Sequence, residues 1–408
     1  MEEVQYSGKL AQLVDNGITV RTTSPFTEWS DHQNISREQI KEIQIEDLLP
    51  RLPIQLSMKN VVGSIENRRI MVTGAAGSIG SEIVRQLAKF NPASLLLIDQ
   101  AETPLHDLEL ELKSAYRELR FKTKVVDVCN QHRMEKIFEK TRPHFLFHAA
   151  AYKHVPMMEN NVPEAIHNNV LGTRTIADLA VKYGTGKFLM VSTDKAVNPS
   201  NVMGCSKRIC EIYVQSLNRH VNGGTSGTQF ITTRFGNVLG SNGSVIPLFK
   251  EQIRRGGPVT VTHPDIIRYF MTIPEACQLV LEAGAMGEGG EIYIFDMGNP
   301  VKIDDLAKRM IKLSGAKQVR IEYTGLRQGE KLYEELLNDM ENVKPTSHDK
   351  IMIANVREYD FKEVTRQVDE LITLSLTADD RTIVAKMKEI VPEFQSTNNL
   401  FEDIENGS

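Results

Sequence analysis

The sequence predicts an α/β protein, a doubly wound parallel sheet followed by a smaller C-terminal lobe. Three observations lead there. From Arg69 to Phe235, short apolar runs alternate with helical stretches. The runs are continuously apolar, as in parallel strands covered on both faces. A glycine-rich loop joins the first run directly to the first helical stretch.

Residues 1–60 read as the remnant of a preceding domain and a linker. Leu10 to Val20 is expected to form a helix and a short strand, and Arg21–Asn34 a polar loop. Ile35 to Ile54 is a charged helical stretch with Ser36 as cap, ended by Pro50 and Pro53. Residues 61–235 carry the alternation. RRIMVTG is the first strand and GSEIVRQLAKF its helix, SLLLID and HDLELELKSAY the second pair, and KTKVVDV and HRMEKIFEK the third. HFLFHAA is the fourth strand, and PEAIHNNVLGTRTIADLAVKY one long helix. KFLMVST is the fifth strand, GCSKRICEIYVQSL its helix, and TQFITTRFGN the sixth strand. Residues 236–408 are looser, with Gly- and Pro-rich loops, returning helices, and SLTADDRTIVAKMKEIVPEFQ as a final surface helix.

Composition narrows the function classes. The chain of 408 residues is 41% apolar and 25% charged, with 48 basic against 53 acidic side chains and a formal charge of −5. A nucleic-acid binder would show a basic excess, so none is expected as a partner. The N-terminus MEEVQYSGKL has no signal-peptide core, and no run approaches the ~20 apolar residues of a membrane span. A cytoplasmic chain without membrane contact of its own is expected. Cys129, Cys205, Cys210 and Cys277 have no metal-ligand spacing, and no metal is expected.

The loop Thr73-Gly74-Ala75-Ala76-Gly77-Ser78-Ile79-Gly80 lies between the first strand and its helix. Gly74 suits a tight turn, Gly77 a close backbone approach to a pyrophosphate, and Gly80 close helix packing; Ser78 and Ile79 open a helix whose free N–H groups favour phosphate. This is the dinucleotide signature of a Rossmann fold. Asp99 ends the second strand, where a carboxylate accepts from both ribose hydroxyls and repels a 2′-phosphate; that favours NAD. Asp127 and Val128, after the third strand, are placed for adenine. Ala149, Ala150 and Ala151 make a small-residue strand end open to the cofactor.

The fifth strand runs into Ser192-Thr193-Asp194-Lys195, at the carboxyl edge of the sheet where such folds bind ligands. Met203 and Lys207 are four residues apart and share a helix face. Polar groups at a strand tip with a lysine beside them suit acid–base chemistry. The plainer reading is an N-cap at Thr193 or Asp194 with a solvated lysine.

The blocks VTGAAGSIGSEI, HAAAYKHVPMME, NNVLGT, VSTDKAVNPSNVMGCSKR, RFGNVLGSNGSVIPLF and RQGEKLYEEL resemble the CapD-like bacterial polysaccharide-biosynthesis proteins. These are UDP-N-acetylglucosamine 4,6-dehydratases of the extended short-chain dehydrogenase/reductase superfamily, and the likeness runs from about Glu46 to Glu335. It implies an NAD enzyme, a UDP-N-acetylhexosamine substrate and a substrate-binding C-terminal lobe. It implies Lys195 as base at C5, Asp194 as acid at C6 and Lys207 on the nicotinamide ribose. Met203 stands where the superfamily usually has the tyrosine of Tyr-x-x-x-Lys, and a thioether cannot take that proton. Thr193, through Lys207, Asp194 or a water, is the expected alternative. The literal Tyr183-x-x-x-Lys187 spans a glycine turn and is a decoy. For the substrate, the resemblance points to Lys153, His154, Asn169, Asn237, Ser244, Arg268, Arg327 and Glu330, with Glu330 bonding a ribose or orienting Arg327. It further implies a homo-oligomer and a longer parent protein at the cytoplasmic face of the bacterial inner membrane. A UDP-sugar 4-epimerase, a C5-inverting dehydratase and a non-catalytic NAD-binding scaffold are the competing readings.

Overall fold

The structure is a computed structural model. It describes residues 58–222, 227–316, 318–335, 343–354, 357–397 and 401, together with Leu13, Arg21–Thr22 and Lys41–Glu42. Arg21–Thr22 pairs antiparallel with Lys41–Glu42. Lys41–Glu42 is therefore a strand inside the stretch from Ile35 to Ile54 that is expected to be helical, and Arg21–Thr22 a strand at the start of the expected polar loop. Leu13 apart, the rest of what is expected before residue 58 lies outside the described residues.

After helix α1 (Met58–Ile65), the expected alternation follows in order. It runs β1 (Arg69–Thr73), α2 (Ser78–Leu87), β2 (Ser94–Asp99), α3 (Glu102–Ala115), β3 (Phe121–Val125), α4 (Gln131–Thr141) and β4 (Phe145–His148). Then come α5 (Val155–Glu159), α6 (Val162–Ala165), α7 (Gly172–Lys182), β5 (Lys187–Thr193), α8 (Val202–Asn222) and β6 (Gln229–Phe235). Hydrophobic burial selects the inner strands: every residue of β4 is buried, as are the four central residues of β2, whereas the edge strand β3 has no buried residue. The long helix expected over PEAIHNNVLGTRTIADLAVKY is α6 and α7 joined by a π-helical turn, Ile166–Leu171.

The main sheet continues past residue 235. Strand β7 (Ile292–Phe295) pairs parallel with β6, while β8 (Val343–Pro345) and β9 (Ile351–Ala354) close that edge antiparallel. The spatial order is β8-β9-β7-β6-β5-β4-β1-β2-β3. Its 3-2-1-4-5-6 portion is the doubly wound Rossmann arrangement. Helix α9 (Ile273–Met286) packs against α1 and α2, and α10 (Phe361–Thr377) packs against α8. The compact unit built on the sheet therefore comprises residues 55–237, 273–297 and 326–408, rather than a contiguous stretch ending at residue 235.

The expected final surface helix is α11 (Asp380–Ile390), and it is not merely superficial. Ile383, Val384, Met387 and Ile390 are buried in the same apolar cluster as Val364, Val368 and Leu371 of α10 and Ile209 and Ile212 of α8. The reason is that α8, which lies on β5 and β6, keeps a second apolar face that α10 and α11 cover.

The second compact unit holds residues 238–272 and 298–325 with the N-terminal 54 residues. In it, Val259–Val261 pairs parallel with Ile321–Tyr323, Ile267–Arg268 pairs antiparallel with Val301–Lys302, and helices cover Val245–Arg254 and Ile303–Leu313.

Candidate active site

The glycine loop sits where β1 feeds α2. Gly74 has φ +68°, and a Cβ there would stand 2.5 Å from the Ala150 nitrogen. A Cβ on Gly80 would stand 2.0 Å from the Gly74 carbonyl oxygen, so the third glycine serves loop–helix contact. Gly77 occupies the N-cap of α2, with Ser78 and Ile79 in its first turn. That leaves a backbone cradle with helix N–H groups, beside the partly exposed small residues Ala149, Ala150 and Ala151, which suits a pyrophosphate. Asp99 spans this loop and its own turn: one carboxylate oxygen accepts from the Ala76 N–H at 2.9 Å, the other from the Ala101 N–H at 2.9 Å. It is thus a turn-forming residue beside the cradle.

Asp127 accepts from the Cys129 N–H at 2.8 Å, and Val128 is buried. Among the described residues, one group of possible metal ligands comes together, Asp127, Cys129 and His167. Burial, then the Asp127 charge, push the Cys129 thiol up, and its sulfur donates to the His167 carbonyl at 3.2 Å. A protonated thiol is a poor ligand.

At the tip of β5, Thr193, Asp194 and Lys195 form a hydrogen-bonded chain. The Thr193 hydroxyl donates to Asp194 Oδ1 at 2.8 Å, and Lys195 Nζ donates to the same oxygen at 3.0 Å and to Asn237 Oδ1 at 3.2 Å. The Asp194 side chain is 2% exposed and that of Lys195 18%. The Thr193 oxygen also accepts from the Lys195 N–H at 3.4 Å, so the capping role is real. The lysine, however, is bonded within the site and only partly exposed, unlike a freely solvated surface lysine. Glu334, which sequence reasoning missed within RQGEKLYEEL, faces Lys195 Nζ at 3.4 Å.

Helix α8 is brought up to this tip by its small residue. A Cβ on Gly204 would stand 2.1 Å from the Lys195 carbonyl oxygen, so no larger residue fits. Glu159 accepts from the Val202 N–H at 2.7 Å and fixes the first turn. Lys207 is buried, and burial lowers its pKa against the opposing pull of Cys210 and Glu211. Met203 is buried in the apolar core. The literal Tyr183–Lys187 pair is structural: the Tyr183 hydroxyl donates to Glu135, and Lys187 Nζ donates to the carbonyls of Gly284, Ala285 and Gly287.

Beneath the tip lies a buried ion network that the sequence did not reveal. Glu211 accepts from Ser192 Oγ at 2.6 Å, from Arg234 at 2.9 and 2.6 Å, and from Arg208 at 3.1 Å. Burial alone would raise the Glu211 pKa, but Arg234, then Arg208 and Ser192, outweigh it and hold it at about 2. Because Ser192 and Arg234 lie on β5 and β6, this network ties together the two strands that present Lys195 and Asn237.

Among the expected substrate residues, Lys153 reaches solvent while packed around by protein; that packing, then the Lys195 charge, lower its pKa. His154 is the N-cap of α5. Asn169 is a correction. It is fully buried; its amide oxygen accepts from the Tyr152 N–H, and its amide nitrogen donates to the Tyr152 carbonyl and Ser206 Oγ. It fixes the loop before Lys153 and has no group left to offer a ligand. Arg327 is exposed. Glu330 accepts from the Arg327 backbone N–H at 3.1 Å, so it orients that turn through the main chain. The turn is pinned to the loop after β5, because the Gly329 carbonyl accepts from Ser200 Oγ and Asn201 Nδ2. Ser244 and Arg268 belong to the second unit. Ser244 is the N-cap of the 245–254 helix, with a buried hydroxyl that has no hydrogen-bond partner among the described residues, and Arg268 is buried.

Residues 70–356 match the model of a family described as polysaccharide biosynthesis protein. The capsular polysaccharide biosynthesis protein CapD of Staphylococcus aureus is 51% identical over 336 residues, which is 82% of this chain and 55% of that protein. The chain thus spans about half the length of that relative. A UDP-glucose 4-epimerase of Rickettsia prowazekii (strain Madrid E) is 33% identical, over 68% of this chain and 80% of its own. Among solved structures, the X-ray structure of Pen from Bacillus thuringiensis superposes with a TM-score of 0.65 at 29% identity, covering 73% of this chain and 90% of that one. No described helix is long and apolar enough to cross a membrane.

Proposed function

The chain belongs to the polysaccharide biosynthesis protein family, and from that premise we propose that it is an NAD-dependent UDP-N-acetylglucosamine 4,6-dehydratase. The observation that carries this reading is the continuous chain Thr193 Oγ1–Asp194 Oδ1–Lys195 Nζ at the carboxyl edge of the sheet.

The glycine cradle and the buried ammonium of Lys207 fit NAD, the cradle for its pyrophosphate and Lys207 for its nicotinamide ribose. Bound NAD⁺ would accept hydride from C4 of the hexose and return it at C6, so no outside reductant is needed. The protons are the protein's task. With Met203 in the tyrosine position, the C4 hydroxyl needs another acceptor, and Thr193 supplies a route. Its hydroxyl can take the C4 proton while passing its own to Asp194. Asp194 then holds the proton that the C6 hydroxyl requires to leave as water. The proton lost at O4 thereby departs in the water formed at C6. Lys195 takes the C5 proton, made acidic by the 4-ketone, and later gives it back to C5. The buried Glu211 network holds β5 and β6 so that Lys195 and Asn237 stay in register. Lys153, His154, Asn237, Arg327 and Glu330 remain the proposed substrate contacts.

A UDP-sugar 4-epimerase is the second reading, favoured by the identity to the Rickettsia protein. Epimerisation leaves the C5–C6 bond alone and has no use for an acid and a base placed together there. The test is incubation with UDP-N-acetylglucosamine and proton NMR of the product. A new C6 methyl signal is expected; a C4 epimer that keeps its hydroxymethyl group would overturn the dehydratase. Asp194→Asn should lower kcat by about 10²–10⁴-fold, and Thr193→Val should lower it substantially. Full activity in Thr193→Val would remove the relay.

A further inference from the structure

Glu334 brings a second carboxylate to Lys195 from a distant part of the chain. Its Oε1 lies 3.4 Å from Lys195 Nζ, and its side chain is 6% exposed. Other charged groups facing Lys195 include Asp194 at 3.0 Å, on its own turn, and Lys153, from the loop after β4, whose pKa the Lys195 charge helps to lower. Asn237, after β6, completes the surroundings with an uncharged acceptor at 3.2 Å. The segment bearing Glu334 is anchored to the same loop that follows Lys195. Lys331 Nζ donates to the Val197 carbonyl at 3.4 Å, and Gly329 accepts from Ser200 and Asn201.

We propose that Glu334 stores the proton that Lys195 must shed before it can act as base at C5. This rests on the dehydratase reading. Asp194 cannot do the same job, because it must be protonated from the C4 side to release the C6 hydroxyl. A separate carboxylate on Lys195 lets the two events proceed independently. When substrate excludes water, an ammonium–carboxylate pair loses solvation and the neutral amine–acid pair gains relative to it. One N–H bond of Lys195 breaks and one O–H bond of Glu334 forms. The amine lone pair takes the C5 proton, and the C5–H electrons enter the enolate of the 4-ketone. That proton returns to C5, and the Glu334 proton returns to Lys195 as product leaves. No proton or electron is gained or lost over the cycle. Glu334 acts through Lys195 and is a positioning residue.

The experiment is the pH dependence of kcat for the full chain and its Glu334→Gln variant, with UDP-N-acetylglucosamine as substrate, from pH 6.5 to 9.5. The parent should be nearly flat. The variant should fall about 10²-fold near pH 7 and recover as pH rises, because Lys195 must then release its proton to solvent. An unchanged kcat, or a loss equal at every pH, overturns the proposal, since a merely structural role would act uniformly. If thermal melting shows that Glu334→Gln does not fold, Glu334→Ala with added formate takes its place. Recovery at pH 7 supports the proton store, and no recovery in folded protein overturns it. A C4 epimer produced by the parent itself would instead defeat the dehydratase reading, and the proton store with it; that failure is distinguishable because it needs no variant.

Discussion

At the scale of single residues, two buried groups give the protein a directional response to acid. His148 is fully buried between Thr73 Oγ1 at 2.7 Å and Thr173 Oγ1 at 3.1 Å. Burial, then the Lys207 charge, lower its pKa to about 3. An unfolded histidine titrates near 6.5, so below that pH the unfolded chain binds a proton that the folded ring refuses. The stability linked to His148 is whole above pH ~6.5 and is lost as pH falls toward about 3. Glu211, held at about 2 against an unfolded value of ~4.3, contributes above ~4.3 and loses its contribution as pH falls toward 2. Both signs agree. Stability should decline from pH ~6.5 downward and more steeply below ~4.3, by up to ~1.4 kcal/mol per pH unit for each proton of difference. Urea midpoints measured across this range check it. His148→Gln should flatten the limb between pH 6.5 and 4.5; an unaltered slope would acquit this histidine. Glu211→Gln leaves two buried guanidinium groups short of a charge and should cost about 3–5 kcal/mol. Legibility at this scale follows sequence distance. The glycine loop and Thr193-Asp194-Lys195 are contiguous and could be read directly. Glu334 and the Glu211–Arg234 pair acquire meaning only when the fold joins them to the tip of β5.

At the scale of elements, hydrophobic periodicity gave the order of strands and helices but not the layer that each helix covers. Helix α11 carries Ile383, Val384, Met387 and Ile390 on one face, a spacing equally suited to a shallow surface helix and to a core helix. In the fold it shares one apolar cluster with α10 and α8. Buried large-to-small changes there should behave as core cavities. Met387→Ala and Leu371→Ala should each cost about 2–5 kcal/mol, whereas Leu376→Ala, at a side chain 73% exposed, should stay within about 0.5 kcal/mol. Equal costs at all three positions would contradict the packing. The π-helical turn Ile166–Leu171 was illegible for a related reason. Apolar spacing does not register one extra residue per turn, yet that turn contains Asn169, whose amide brackets the Tyr152 backbone.

At the scale of the whole molecule, the sheet unit is assembled from three stretches of chain. Its sixth strand is not an edge. Ile292, Tyr293 and Ile294 of β7 pair with Thr232, Thr233 and Arg234 of β6. Strands β8 and β9 then continue the sheet, and α10 and α11 pack over α8, which itself lies on β5 and β6. Sequence alternation stops at residue 235 because the chain leaves for the second unit there; its later return is a long-range pairing that no local pattern encodes. A chain limited to residues 58–235 would therefore leave β6, whose residues 230–235 are buried in the full fold, as an unpaired edge strand beside an open core cluster, conditions that promote strand-to-strand aggregation. A chain covering residues 58–397 retains every strand of the main sheet and both C-terminal helices. The shorter chain should be insoluble or lack a cooperative urea transition, and the longer one should unfold cooperatively. Far-UV circular dichroism and urea titration of the two decide it. If residues 58–235 alone unfolded cooperatively at the midpoint of the longer chain, the returning segments would be additions to the fold, and the framework that carries Glu334 to Lys195 would not be part of its core.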